Sequence, residues 1–384
     1  MNKLKPKVSV LMCVYNGEAH LRAALESILE QTFTDFEFVI VDDGSTDSSW
    51  QMLTEYSRED SRITLIRNQE NIGLTKSLNK GLKLAEGEYI ARQDADDVSF
   101  PERFEKQVAF LDRHSEVVLV SCDIERINAE GCPIGKFQRG CEPELVFWYL
   151  LFYNRLAGHS QVVFRRESVM NIDGYCENYR YSQDYELWCR LVETGKILIL
   201  PKVLLQQRFH SQRVSAAKKL EQREYTLAQV KHNIQKLVGE EISLEEAEDL
   251  MGFWIGHWRS QCFPDSRKAQ ALDSRLKQIR QSFTECIKDS VYYNLSDSEI
   301  SNRLDTTIGQ QFLYWIQAPL TRQHGAIAKL RVSLTALAWK PWGIPHSWLI
   351  GLGKSALSIS RSLAKKISQT IPLILHFKQA CFGK

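Results

Sequence analysis

The first 121 residues alternate between two kinds of segment, and that alternation sets the fold. Runs of strand length recur at Val8–Tyr15, Phe36–Val41, Ile63–Arg67, Glu88–Arg92 and Val117–Ser121. Between them lie stretches with helical spacing. Ala19–Thr32 puts Leu21, Leu25, Ile28 and Leu29 on one face, and Ser45–Arg58 opens with a Ser-Thr-Asp capping signal. Ile72–Ala85 carries Leu74, Leu78, Leu82 and Leu84, and Pro101–His114 starts on a proline where helices accept one. Strands that are apolar almost throughout, rather than at every second residue, are buried on both faces. The succession predicts an α/β fold, a mainly parallel sheet with helices on both sides.

Sheets of this class bind ligands beyond the carboxyl ends of their strands. Here those ends carry Tyr15-Asn16-Gly17, Asp42-Asp43-Gly44-Ser45 and Asp94-Ala95-Asp96-Asp97. The last cluster packs three carboxylates into four residues, and their repulsion is tolerable where a cation sits among them. Hard oxygen ligands suit Mg²⁺ or Mn²⁺. The other reading is an acidic solvated turn, with Asp96 or Asp97 capping the helix that follows. A calcium loop is disfavoured, because the glycine it needs after the acidic ligands is missing. A dinucleotide fingerprint fails at YNGEAHL, and a phosphate loop fails at LIGLGKS, where Trp348 stands in place of the first glycine. What remains is a nucleotide held at the first two strand ends, its diphosphate bridged to the aspartates by a metal.

Four strings carry a closer likeness: PKVSVLMCVYNGEAHLRAALESILEQTF, FEFVIVDDGSTDSS, NQENIGLTKSLNKGLKLAEGEYIARQDADD and NIDGYCENYRYSQDYELWCRL. In order and spacing, across residues 6 to 215, they resemble the family 2 glycosyltransferases, which have the nucleotide-sugar-binding GT-A fold. The resemblance implies that Asp43 accepts a hydrogen bond from the nucleotide base and that Tyr15 lies against its ring. Asp94 and Asp96 match the family's D-x-D. Asp96 is then the principal ligand of Mn²⁺ or Mg²⁺, with Asp94 nearer the ribose and diphosphate. Lys76 either adds charge near the diphosphate or is a solvated helix-face lysine.

Where the family reads Glu-Asp, this chain reads Gln183-Asp184, and Asp184 is implied as the catalytic base of an inverting displacement. Its plainer reading is an acid favoured at a helix N-terminus. His210, in RFHSQR, resembles a histidine that closes over the diphosphate or metal, with Arg208 or Arg213 neutralising phosphate; the alternative is an exposed loop histidine. His159 resembles a residue on the acceptor side, or is a turn histidine. The activity implied is transfer from a UDP-linked sugar to a hydroxyl of a glycan or lipid-linked acceptor in cell-surface polysaccharide synthesis. Two other classes stay open: a nucleotide-sugar-binding module without catalysis, and a membrane-associated scaffold.

A chain of 384 residues suggests two domains. We expect a transferase domain at 1–215 and a helical region at 216–384, with helices at Ala216–Gly239, Ser243–Trp258 and Ser266–Asp289 and a capped turn at Asn294–Arg303. Trp254 and Trp258, four apart, read as core. The net charge of +2 averages two opposed regions: residues 1–305 carry −8, whereas Thr306–Lys384 carry +10 with no Asp or Glu. Within that tail Leu352, Ala356, Ile359, Leu363, Ile367 and Ile371 form one helical stripe opposite Lys354, Arg361 and Lys365. Such a stripe suits an anionic membrane surface or, alternatively, a partner or packing helix. It argues against nucleic acid. Nine scattered cysteines without a C-x-x-C pair, a quickly charged N-terminus and no apolar run of spanning length lead to the expectation of a cytoplasmic protein, peripheral on the inner membrane face.

Overall fold

A computed structural model of the chain describes residues 5–156, 158–210, 213, 218–255, 266–317, 334–336, 338 and 339. The basic stripe at 352–371, the rest of the tail from 341, and Trp258 lie outside the described residues.

The expected alternation is present as β1 (Val8–Val14), α1 (Leu21–Leu29), β2 (Phe36–Asp42), α2 (Ser49–Glu59), β3 (Ile63–Arg67), α3 (Leu74–Leu84), β4 (Tyr89–Asp94) and α4 (Arg103–Arg113). A two-residue strand, β5 (Val98–Ser99), precedes α4, and β6 (Val117–Ile127) runs six residues past the expected end. Its extension includes Glu125 and Arg126, and it stays in strand because β9 pairs along it and β7 joins its last residues. The chain continues through β7 (Pro133–Phe137), α5 (Pro143–Leu150), β8 (Val163–Arg165), α6 (Arg166–Met170), α7 (Gln183–Leu191) and β9 (Lys196–Arg208).

The strands form one sheet in the order β3-β2-β1-β4-β8-β6-β9-β5, with β7 paired to β6. The β3-β2-β1-β4 half is parallel throughout, and every residue of β1 is buried, as its unbroken apolar run requires. β8 is antiparallel to both β4 and β6, so β6 points the same way as β4. The register sets Cys13 beside Asp94 and Val14 beside Asp42. The acidic strand ends therefore share one rim, and the sheet order fixes which lies next to which.

Two compact units divide the chain: Met1–Ala247 with Ser290–Asn294, and Glu248–Asp289 with Leu295–Lys384. The first extends beyond the boundary expected at 215, because helix α8 (Lys219–Val238) packs on α5 and α7. Asn233 Nδ2 donates to Leu150 O at 3.0 Å, and Ser182 Oγ lies 2.9 Å from Thr226 Oγ1. The helix α9 (Leu244–Ile255) follows; from Glu248 on, buried Trp254 included, it belongs to the second unit.

The second unit contains α10 (Ser266–Asp289) and α11 (Asp297–Gln317), held by buried Ile279, Phe283, Ile300, Leu304 and Ile308 and by an Arg280–Asp305 ion pair. The segment expected as a turn at Asn294–Arg303 is mostly helix. Its capping signal marks the start of α11, where Ser296 and Glu299 bond each other's backbone N–H reciprocally. Among the described residues no helix is long and apolar enough to cross a membrane.

Candidate active site

The loops after β1 and β2 are stitched together at one end of the rim. Asn16, in left-handed backbone at φ 52°, accepts the Thr46 N–H on Oδ1 at 2.8 Å, and its own N–H donates to Ser45 Oγ at 3.0 Å. Tyr15, beside them, is half exposed on the open side. Gly44 has φ +74°, and a Cβ there would stand 2.7 Å from the Glu70 carbonyl carbon, so the β2 turn lies flat against the 70–71 backbone. Asp43 is buried below. Its Oδ1 accepts from Asn68 Nδ2 at 2.8 Å and Ile72 N at 3.0 Å, and its Oδ2 accepts from Gly73 N at 2.9 Å. Asp43 thus shapes the loop that leads into α3. Lys76, in the first turn of α3, is exposed.

The three acids that follow β4 come together: one carboxylate oxygen from each of Asp94, Asp96 and Asp97 lies within 4.8 Å of the others. Neither Asp96 nor Asp97 caps α4, whose N-cap is Glu102 without a side-chain cap bond. Each acid has its own partner instead. Asp94 pairs through Oδ1 with the fully buried Arg92, and that guanidinium, after the opposing pull of burial, holds the Asp94 carboxyl below its usual range. Asp97 is buried and accepts the Arg208 N–H on Oδ1 at 2.9 Å. Burial first, then the Asp96 and Asp94 charges, push its carboxyl well above the ordinary range.

Ser160 Oγ sits between, 2.6 Å from Asp97 Oδ2 and 2.9 Å from Asp94 Oδ2, while accepting the Asp94 N–H at 2.9 Å. A hydroxyl has one proton to give. The arrangement closes if Asp97 keeps its proton and donates to Ser160, which donates onward to Asp94. Asp96 Oδ2 lies 2.9 Å from His210 Nε2, and no described residue bonds its Oδ1. An oxygen-seeking cation that takes one or two carboxylates and fills its shell with phosphate and water fits this donor set. Asp96 and Asp94 would hold it, with His210 behind Asp96.

Asp184 stands at the start of α7, half-buried. Asn154 Nδ2 donates to its Oδ2 at 2.8 Å. Burial, helped by the Asp94 charge, raises its carboxyl above the usual range, against the pull of the Tyr185 N–H and Asn154. His159 is buried, with Nε2 2.7 Å from Tyr175 Oη and its ring edge-on to Trp188. Its imidazole is held well below the ordinary range by burial and then by Arg92. Arg208 is buried too, its Nε donating to the Asp96 carbonyl and its Nη1 to those of Asn128 and Ala129.

Sequence reasoning missed Arg92, Asn154, Ser160 and His20, whose ring lies 5.0 Å from that of His210. It also missed the buried scaffold behind the acidic loop. Gln93 Nε2 donates to Asp97 O at 2.8 Å, and Arg103 Nη1 donates to Gln93 Oε1 at 2.8 Å. Burial pushes Arg103 down to about 10. A charged residue inside an apolar strand, as Arg92 is, was the one available signal.

A half-parallel sheet with an acidic cluster at its strand ends and a further carboxylate at the start of α7 has the architecture of a GT-A glycosyltransferase. S. aureus TarS 1–349 in complex with UDP-GlcNAc aligns with 87% of this chain and 92% of its own, at a TM-score of 0.52 and 16% identity. The pattern described as Glycosyl transferase family 2 matches residues 9–171. An uncharacterized glycosyltransferase of Haemophilus influenzae is 31% identical over 237 residues, 57% of this chain and 70% of its own. The amylovoran biosynthesis glycosyltransferase AmsE of Erwinia amylovora is 32% identical over 221 residues, covering 54% and 78%. The chain belongs to glycosyl transferase family 2.

Proposed function

We propose that this glycosyltransferase moves a sugar from a UDP-linked donor, with inversion, to a hydroxyl of a glycan or lipid-linked acceptor in polysaccharide synthesis. The observation that carries the reading is Asp184, a half-buried carboxylate in the first turn of α7 that Asn154 Nδ2 holds by a 2.8 Å hydrogen bond. A relative named for amylovoran biosynthesis supports the polysaccharide setting, and a solved UDP-GlcNAc complex of a protein with this fold supports the donor class.

In this reading Tyr15 flanks the base. Asp43 supports it both directly and through the 72–73 loop, and Lys76 lies over the diphosphate. Asp96, with Asp94 and His210, would hold Mn²⁺ or Mg²⁺, which supplies Lewis-acid stabilisation of the leaving diphosphate. Asp184 accepts the acceptor hydroxyl proton as that oxygen bonds the anomeric carbon and the bond to diphosphate breaks. The proton remains on Asp184. Asn154 orients the carboxylate, and His159 supports the floor through Tyr175.

The transferase domain and helical region are proposed to divide the labour. The acid-free tail, by its sequence, docks on an anionic cytoplasmic membrane face. Asp184→Asn tests the base: UDP-sugar affinity should stay within about threefold while transfer falls roughly 10²–10⁴-fold. Collapse of donor affinity with transfer per bound donor intact would make Asp184 a binding residue.

A further inference from the structure

Beyond the acidic cluster lies a group of arginines that the proposed chemistry does not use. Arg126 is the penultimate residue of β6, which runs parallel to β4, so it sits on the same rim as Asp94. Sheet order places it on the far side of β4 from Tyr15 and Asp43. Its guanidinium carbon lies 3.5 Å from the Phe137 ring centre and 4.3 Å from that of Phe209. Arg213 covers Phe209 as well, at 4.4 Å. Arg139 and Arg155 clasp one another: Arg139 Nη1 donates to Arg155 O at 3.2 Å, and Arg155 Nη2 donates to Arg139 O at 3.0 Å.

Among the described residues no carboxylate pairs with any of these four guanidinium groups, and the Arg126 guanidinium donates no hydrogen bond. Its Nε is buried without a partner. Asp123, which comes nearest in function, accepts the Arg139 backbone N–H at 2.7 Å. Burial and then the like charges of Arg139 and Arg213 depress Arg126, which is the mark of uncompensated crowding. A guanidinium offers five donors in a rigid fork that matches phosphate. Two aromatic faces hold this one in place with every donor unspent.

The group also adjoins the base. Asn154, the donor to Asp184, is followed directly by Arg155. We propose that Arg126, with Arg139, Arg155 and Arg213, forms a subsite on the acceptor side of the active site that binds a phosphate group of the acceptor. The inference rests on the donor and base assignment above and narrows the acceptor to an anionic one. Two sources share that chemistry: a sugar carried on a lipid diphosphate, and a polymer joined by phosphodiesters.

The test is equilibrium binding to the full chain with the donor site filled by UDP and Mn²⁺. Three probes are compared: a farnesyl-diphosphate-linked monosaccharide, a glycerol-phosphate tetramer, and the neutral octyl glycoside of the same monosaccharide. At least one anionic probe should bind about tenfold or more tighter than the glycoside, with the preference shrinking as salt rises, and the better of the two names the source. Arg126→Gln should remove about tenfold of that preference, and Arg126→Lys, which keeps the charge and loses the fork, should restore only part of it. UDP affinity should be unchanged in both variants. Equal binding of charged and neutral probes overturns the subsite, and so does a loss of UDP affinity in Arg126→Gln, which would assign the arginine to the donor. If the wild-type chain fails to bind UDP, the donor reading falls, and the subsite is judged by the same probe ranking without nucleotide.

Discussion

Replacing Asn154 with alanine should move the pH dependence of transfer without abolishing it. The Asn154 amide gives Asp184 Oδ2 a 2.8 Å hydrogen bond, which favours the ionised carboxylate. Burial and the Asp94 charge already hold Asp184 above the ordinary carboxylate range, so losing the donor pushes it in the same direction. A hydrogen bond to a charged group is worth about 1.5–3 kcal/mol, and one pKa unit is about 1.4 kcal/mol. The low end applies, because the Tyr185 N–H still donates and the half-buried site admits water. We therefore expect a rise of about one unit. A base works only when ionised, so the acid limb of kcat/KM against pH should shift upward by the same amount. Well above that limb the variant should approach wild-type turnover. The assay is nucleotide release across pH, with thermal melting to confirm the fold. An unmoved limb, or a uniform loss at every pH in a folded variant, would refute Asp184 as the group that titrates.

Three further outcomes follow from the same geometry. Asp96→Ala should lose Mn²⁺-dependent UDP binding by calorimetry while melting like wild type in EDTA; retained metal dependence would move the ion elsewhere. Gly44→Ala meets both a φ of +74° and a Cβ 2.7 Å from Glu70, so it should cost about 1–3 kcal/mol in denaturant unfolding, and an unchanged midpoint would count against the tight β2 turn. Deleting residues 341–384 should release the protein from anionic liposomes and spare donor hydrolysis, since each Lys or Arg near such a surface is worth about 1 kcal/mol. Full-length protein that ignores anionic and neutral vesicles alike would end the membrane assignment.

The parallel half of the sheet was legible because its strands are buried on both faces and so read as continuous apolar runs. β6 broke that rule midway: Glu125 and Arg126 look like a strand end, yet β9 supplies pairing that no local pattern announces. The capping signal at Ser296 was legible while the helix it opens was not, since Asn302, Arg303 and Asp305 dilute its apolar face. At the site, Asp94, Asp96 and Asp97 could be found as carboxylates at a strand end, and Asp184 by the family resemblance. Ser160 and Asn154 could not, being ordinary polar residues whose partners lie 66 and 30 positions away. Asp43 was found for its place on the rim, but its bonds to the 72–73 backbone depend on where α3 starts, and sequence fixes that only to within a turn.

The acidic cluster shows why such partners matter more than the acids themselves. Three carboxylates this close would expel one another's charge if left alone. The fold answers each differently: a buried guanidinium for Asp94, the Arg208 N–H and the Ser160 hydroxyl for Asp97, an imidazole against one oxygen of Asp96. Those answers leave a single carboxylate oxygen, Asp96 Oδ1, with no protein donor among the described residues. In the proposed reading, Asp96 Oδ1 is therefore the carboxylate oxygen that would be open to a divalent ion. The asymmetry is built from residues on five separate elements or loops. That is why Asp96, and not Asp94 or Asp97, is the position where removing a carboxylate should cost metal and spare the fold.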